Sequence, residues 1–345
     1  MADKVTRRVA MAAPLAMVLA AGSARAADLV LRQAPALVTV EGRRRALFEL
    51  WIDKRPLATV TVRDADDGAL LRTFGGQDLE GRRVVQADGA VVFIELDLPA
   101  GTRRLVIEAD HQKVEADLPP GAGPMLGPPL RGGPWVAIHQ ADWPRGHRRV
   151  FYAPDGKPRL PGRTAIDWVR LDDQGRIAAG DPDLAKSALG YGAEVLAVAD
   201  ATVAAVRDGV PESARVSQNG KHPEDLAAGN YVSLDLGGDR YAIYEHLIPG
   251  SLRVKPGDRV RKGQVIGRLG FSGDSTGSHL HLHVADAARP LLGEGVGYGF
   301  ERFTWLGRYE DLSRLGSAPW IPLANLDSER RGELPGSNVV VRFPE

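Results

Sequence analysis

The sequence predicts a mainly β protein, an antiparallel β-sheet domain preceded by a small β-sandwich domain. Three observations carry this expectation. Short stretches of alternating apolar and polar residues recur with Gly, Asp and Pro at their joints, long helical periodicity is scarce, and one Pro/Gly-dense segment divides the chain. With 345 residues there is enough chain to bury two separate cores.

Residues 1–26 read as a secretory signal peptide. Lys4, Arg7 and Arg8 precede an apolar run from Val9 to Ala21, and Ala24-Arg25-Ala26 supplies a small-residue cleavage pattern. The adjacent Arg7-Arg8 also admits a twin-arginine route. The apolar run is shorter than the ~20 residues that span a bilayer, so no membrane span is expected after cleavage. Removing the segment takes away four of the 44 basic residues and one of the 44 acidic ones, leaving a net charge near −3. That balance offers no basic stripe for nucleic acid. Cysteine is absent, which excludes disulfides, thiolate nucleophiles, a lipid anchor on Cys and thiolate zinc sites. A metal in this chain has to be held by His, Asp, Glu or water.

From residue 27 to 118 the stretches "ALVTV", "RALFELWI", "LATVTVRD", "VVFIELDL" and "RRLVIEAD" are separated by turn signals such as "DADDG", "QADG" and "PAG", the spacing of a small antiparallel sandwich. This region has one histidine, His111, and its expected role is substrate positioning, partner binding or folding. Residues 119–134, "PPGAGPMLGPPLRGGP", are too rich in Pro and Gly for a helix or an interior strand and read as an interdomain linker. Residues 135–345 return to strand patterns, as in "AEVLAVADATVAAVRDG" and "GNYVSLDLGGDRYAIYEHL", with "DLGGDR" as a hairpin turn and "VKPGDRV" as a tight reversal.

The chemistry concentrates in "GSHLHLHVAD", residues 277–286, which places three of the chain's eight histidines at alternate positions. Alternate side chains on a strand share a face. His279, His281 and His283 therefore line one face, while Leu280, Leu282 and Val284 point to a core. The plainer reading is a solvated strand face that happens to carry imidazoles; the sharper one is a metal or catalytic cluster.

At this point the residues resemble a known family. "GFSGDSTGSHLHLHV" is similar to the carboxy-terminal motif of the M23 (lysostaphin-like, LytM-type) zinc metallopeptidases, and "YAIYEHLIPGSLRVKPGDRVRKGQVIGRLG" is similar to the block that precedes it. "GAEVLAVADATVAAV" and "GNYVSLDL" resemble the two strands before that, so the resemblance runs in order over most of residues 160–290. It implies that residues 135–345 form a peptidase domain that uses Zn²⁺. Asp167 in "TAIDW" and His281 become zinc ligands, and His246 in "YEHL" and His279 become the pair that orients water and stabilises the transition state. A carboxylate with imidazoles suits zinc, and a neutral imidazole nearby can accept a proton.

One departure matters. The family's first metal motif is His-x-x-x-Asp, and the position four before Asp167 is Arg163, whose guanidinium has no lone pair to offer. Arg163 and the added histidine resemble a subgroup of the family in which the two occur together. His283, where the family often has Glu, completes the expected ligand set of Asp167, His281 and His283. His147, in "PRGHRRV", is the other candidate. Alternatively Arg163 pairs with Asp167 and the metal is lost.

The resemblance implies an exported zinc endopeptidase, periplasmic or secreted, whose partners are peptidoglycan peptides. The competing reading is a metal-free binding or regulatory module of the cell wall. Other chemistries fit poorly. "VKPGDRVRKGQVIG" also resembles biotinyl and lipoyl carrier hairpins but lacks their apical lysine motif. "GFSGDSTGS" lacks Gly-Lys-Ser/Thr, and "GDSTG" is not a Gly-x-Ser-x-Gly elbow. "GEGVGYGFERFTWLG", with Tyr298, Phe300, Phe303 and Trp305, reads as a packed sheet edge in preference to a groove lining.

Overall fold

The strand Arg43–Ile52 explains how the two halves of the chain are joined. Its residues Ala46, Phe48, Leu50 and Ile52 face one hydrophobic core, and Leu47, on the opposite face, belongs to another. A strand buried on both faces needs a nearly unbroken apolar run, which is what "ALFELWI" supplies. This computed structural model describes residues 29–53, 56–86, 89–139, 146–324 and 328–345. The expected signal peptide, residues 1–26, lies outside them.

In the amino-terminal region a five-stranded sheet centred on Arg43–Ile52 and Gly89–Asp97 faces a four-stranded sheet built from Thr59–Asp64, Leu70–Gly75, Arg104–Ala109 and Gln112–Asp117. Their inner faces share one core that includes Phe48, Leu50, Val60, Val62, Phe74 and Ile107. One short helix, Gly76–Arg82, connects the sheets and buries Leu79.

The Pro/Gly segment is laid down as packed chain. Met125–Leu126 pairs in parallel with Gly299–Phe300, and Leu126 and Leu130 are buried in the carboxy-terminal core. That core lies against a large antiparallel sheet. Asn230–Asp235, Tyr241–Leu247, Leu280–Ala285, Ile166–Arg170, Trp135–Ile138, Val339–Arg342 and Phe303–Arg308 are successive neighbours in it. The turn between the first two carries Gly237 and Gly238 at φ 82° and 60°, a left-handed pair that side chains with a Cβ rarely adopt. Tyr298, Phe300 and Phe303 are core residues, with Trp305 packed against them. Among the described residues no helix is long and apolar enough to cross a membrane.

Candidate metal centre

Register places the first members of the site. Ile166–Arg170 and Tyr241–Leu247 flank Leu280–Ala285 on either side, and His281 is paired with Asp167 on one neighbour and with Glu245 on the other. Directly paired residues of adjacent strands present their side chains on the same face. One carboxyl therefore stands on each side of the central imidazole. Leu280, Leu282 and Val284 fill the core beneath, as the alternation requires.

Asp167 is the hub. His147 Nε2 lies 2.8 Å from its Oδ2, while His281 Nδ1 at 2.9 Å and His279 Nε2 at 3.2 Å share its Oδ1. Burial pushes the carboxyl up, but the charges and hydrogen bonds of His147 and His279 outweigh it and hold Asp167 well below the usual carboxylate range. The same carboxylate outweighs the effect of burial on His279 and raises it above an ordinary imidazole. His281 is pushed down to about 4, by burial first, so its ring is neutral at neutral pH. Burial, with the neighbouring His279 and His281, also holds His246 well below the usual range.

Backbone carbonyls settle two tautomers. Gly277 O lies 2.7 Å from His279 Nδ1, and Ser272 O lies 2.7 Å from His246 Nδ1. A carbonyl only accepts, so each Nδ1 carries the proton, and Nε2 is the remaining basic nitrogen of each neutral ring. The rings of His246 and His279 are 4.8 Å apart. The loop that supplies Ser272 O is held by a close backbone approach, for a Cβ on Gly273 would lie 2.4 Å from Gly229 N.

His246 reaches the site by breaking the strand's alternation. Glu245 faces His281, so its regular successor would point to the opposite side. His246 has φ 64°, a left-handed value uncommon for a residue with a side chain, and its ring turns back toward the histidine row. Glu245 was not apparent from the sequence for the same reason: alternation argues that neighbours 245 and 246 do not share a face.

His283 occupies a different part of the cluster. His281 Nε2 and His283 Nδ1 are 3.1 Å apart, and His283 Nδ1 lies 3.6 Å from Glu245 Oε1. Burial, then the Asp167 charge, raises Glu245 to about 8, while burial lowers His283 well below its usual range, so at neutral pH this is a contact between neutral groups. Among the described residues three donor sets converge with their ligand atoms within 4.8 Å: His147, Asp167 and His281; His246, His279 and His281; and Glu245, His281 and His283. Asp167 thus shares a set with His147 and His281, and His283 does not belong to it.

These donors fit a divalent cation. With one proton of His279 committed to Gly277 O, its Nε2 faces the Asp167 carboxylate, a contact completed by a second proton on the ring, in keeping with its raised value. The neutral His281 ring is compatible with ligation through Nδ1 when its remaining proton is on Nε2, toward His283.

Arg163 is elsewhere. Its guanidinium pairs with Glu49 at 2.6 Å and Glu294 at 3.3 Å and donates to Gly295 O at 2.9 Å. The Arg163–Asp167 pair allowed by the sequence does not form; Asp167 is bonded to imidazoles. Beside the cluster a cleft of ≈ 330 Å³ is lined in part by Asp167 and His279, with apolar walls that include Ile138, Val169, Leu312 and Leu315.

A pH prediction follows from Glu245. Its folded-state value of about 8 lies above the ordinary 4.5, so the native state retains a proton that the unfolded chain releases. The associated stability is whole below about pH 4.5 and is lost as pH rises through about 8. In chelator-treated protein, Glu245→Gln should gain in Tm relative to wild type between about pH 5 and about pH 8.5. A difference that stays constant over that range would contradict the raised carboxyl.

Comparison with known proteins finds a family match over one segment. Residues 186–291 match the model described as Peptidase family M23. That stretch includes His246, His279, His281 and His283 and leaves out His147 and Asp167. Peptidoglycan DD-endopeptidase ShyA of Vibrio cholerae serotype O1 is 41% identical over 64 residues, covering 19% of this chain and 14% of ShyA. Among solved structures, the catalytic domain of the prophage-encoded M23 protein EnpA from Enterococcus faecalis is 20% identical, covering 51% of this chain and 93% of that one with a TM-score of 0.28. The catalytic domain of lysostaphin from Staphylococcus simulans is 22% identical, covering 33% and 77% with a TM-score of 0.19. Residues 186–291 of this chain, with four histidines of the cluster among them, are thus similar to peptidase family M23.

Proposed function

We propose that this chain is an exported zinc endopeptidase that cleaves peptide cross-links or bridges of bacterial peptidoglycan. The observation that carries the reading is the single carboxylate Asp167, met by His147, His279 and His281 at 2.8, 3.2 and 2.9 Å beside an open cleft. The family match of residues 186–291 and the partial likeness to a peptidoglycan endopeptidase support it. His147, Asp167 and His281 are the proposed ligands, with His283 behind His281 in place of the ligand role expected from the sequence.

Zinc, when bound, supplies a Lewis acid for the scissile carbonyl and lowers the pKa of a bound water to ~7. The chain's own residues supply the rest. His246 Nε2 and His279 Nε2 hold or pass on a proton at the cluster's edge, because their Nδ1 atoms are anchored on Ser272 O and Gly277 O. A protonated imidazole there donates to an oxyanion as it develops. The cleft walls seat the peptide and exclude water from one side.

The test separates the two candidate third ligands. Protein purified without added metal should carry about one zinc per chain. His147→Ala should lose it together with cleavage of peptidoglycan peptides, while His283→Ala should keep metal with affinity reduced by about 10–100-fold. A His147→Ala variant that retains full zinc, or a wild type that takes up none after reconstitution, would overturn the proposal.

A further inference from the structure

Glu49 sits on the sandwich, yet its hydrogen-bond partners come from the other half of the chain. On the strand Arg43–Ile52 it lies on the face opposite Phe48 and Leu50, between Leu47 and Trp51, and is 5% exposed. Its Oε1 accepts from Arg148 Nη1 at 3.0 Å and its Oε2 from Arg163 Nη2 at 2.6 Å, with Arg163 Nε at 3.1–3.2 Å from both oxygens. Arg148 also donates to Ile94 O at 2.8 Å, on the same sandwich sheet. All three charged groups are buried. A carboxylate left alone in such a place is strongly unfavourable, so the sandwich face is complete only when both guanidiniums dock.

Those guanidiniums belong to the turns that carry the site. Arg148 follows His147 in the turn His147–Arg149, and Arg163 lies in the turn Pro161–Thr164, just before Asp167. The two turns touch, for a Cβ on Gly162 would lie 2.9 Å from His147 Cβ. Around them Phe151 packs on Trp51 at 5.1 Å, and Leu160 is buried with Val91 and Phe93 of the sandwich. Arg163 thus ties its own turn to the same carboxylate that holds Arg148 beside His147.

We propose that Glu49 is a positioning residue for His147: through Arg148 and Arg163 the amino-terminal sandwich holds the third metal ligand against Asp167, which makes the sandwich a structural part of the metal centre. This rests on the reading of His147 as a ligand. The sandwich acts by orienting a donor and touches neither peptide nor metal.

The test uses the full chain and cobalt(II) as the probe, with affinity measured by chelator competition and coordination by the d–d absorption band. Arg148→Met is the informative variant because it leaves Glu49 paired with Arg163 while cutting the tie next to His147. It is expected to fold, as judged by circular dichroism, to bind cobalt about 10–100-fold more weakly, and to shift the band toward that of His147→Ala. Arg148→Lys should recover part of the affinity, and Glu49→Gln should fall between Arg148→Met and wild type. Folded Arg148→Met with wild-type affinity and spectrum would overturn the proposal. Unfolding of both Arg148→Met and Glu49→Gln would overturn it too, by assigning the cluster to stability alone. His147→Ala distinguishes the failures: if it binds cobalt as wild type does, the ligand reading itself has failed.

Discussion

Asp167→Asn is expected to leave the protein folded but without zinc, and to lower peptide cleavage by about 10³-fold or more, since each 1.36 kcal/mol of lost transition-state stabilisation is tenfold in rate. The substitution keeps the shape of the side chain and removes its charge. Asp167 has both oxygens engaged by imidazole nitrogens and is held ionised by them. An asparagine has one oxygen to offer and turns an NH₂ group toward a ring nitrogen where an acceptor stood. The backbone of residue 167 remains paired with Ile138 and His281, so the strand should persist. Metal content by mass spectrometry and cleavage of purified wall peptides check the expectation. One zinc per chain in folded Asp167→Asn would remove this carboxylate from the ligand set.

His246→Ala should behave in the opposite way, retaining about one zinc per chain while kcat falls by about 10²–10⁴-fold with little change in KM, the range for loss of a general acid or base. His246 does not share the donor set of Asp167 and His147. Its Nδ1 is committed to Ser272 O, its ring lies 4.8 Å from that of His279, and burial keeps it neutral. The left-handed backbone that turns it into the cluster is a conformation that costs of order 1–3 kcal/mol, and such strain persists where the surroundings enforce it. Equal loss of zinc and rate would make His246 a ligand and leave His279 to handle protons alone.

These contrasting outcomes follow from groups that differ in how legible they were. The row His279, His281 and His283 could be read directly because a period of two places alternate side chains on one face, and the intervening apolar residues confirm which face is core. The strands, their hairpin turns and the sandwich were legible for the same reason. The place of each histidine within the cluster was not. His283 stands on the right face but at the Glu245 end of the row, whereas His147 approaches Asp167 from a turn with no periodic pattern.

Arg163 shows the limit most clearly. The motif resemblance implies that it stands where a ligand histidine would be expected, and local chemistry suggests an ion pair with Asp167 four residues later. Its partners are Glu294 and, most closely, Glu49, 114 residues earlier on a strand of the sandwich. Glu49 is a polar residue within an apolar strand, and nothing nearby in the chain reveals that both faces of that strand are covered.

The sequence by itself determined the strand-rich architecture, the shared face of the histidine row and the chemistry available to a chain without cysteine, since these depend on side-chain identity and on local periodicity. The tertiary structure decided that His147 meets Asp167, that Glu245 and His246 face the same cluster, and that Arg163 turns to the sandwich. Each of these depends on contacts between segments far apart in the chain, or on a single backbone angle that packing imposes, and neither is encoded in the spacing of neighbouring residues.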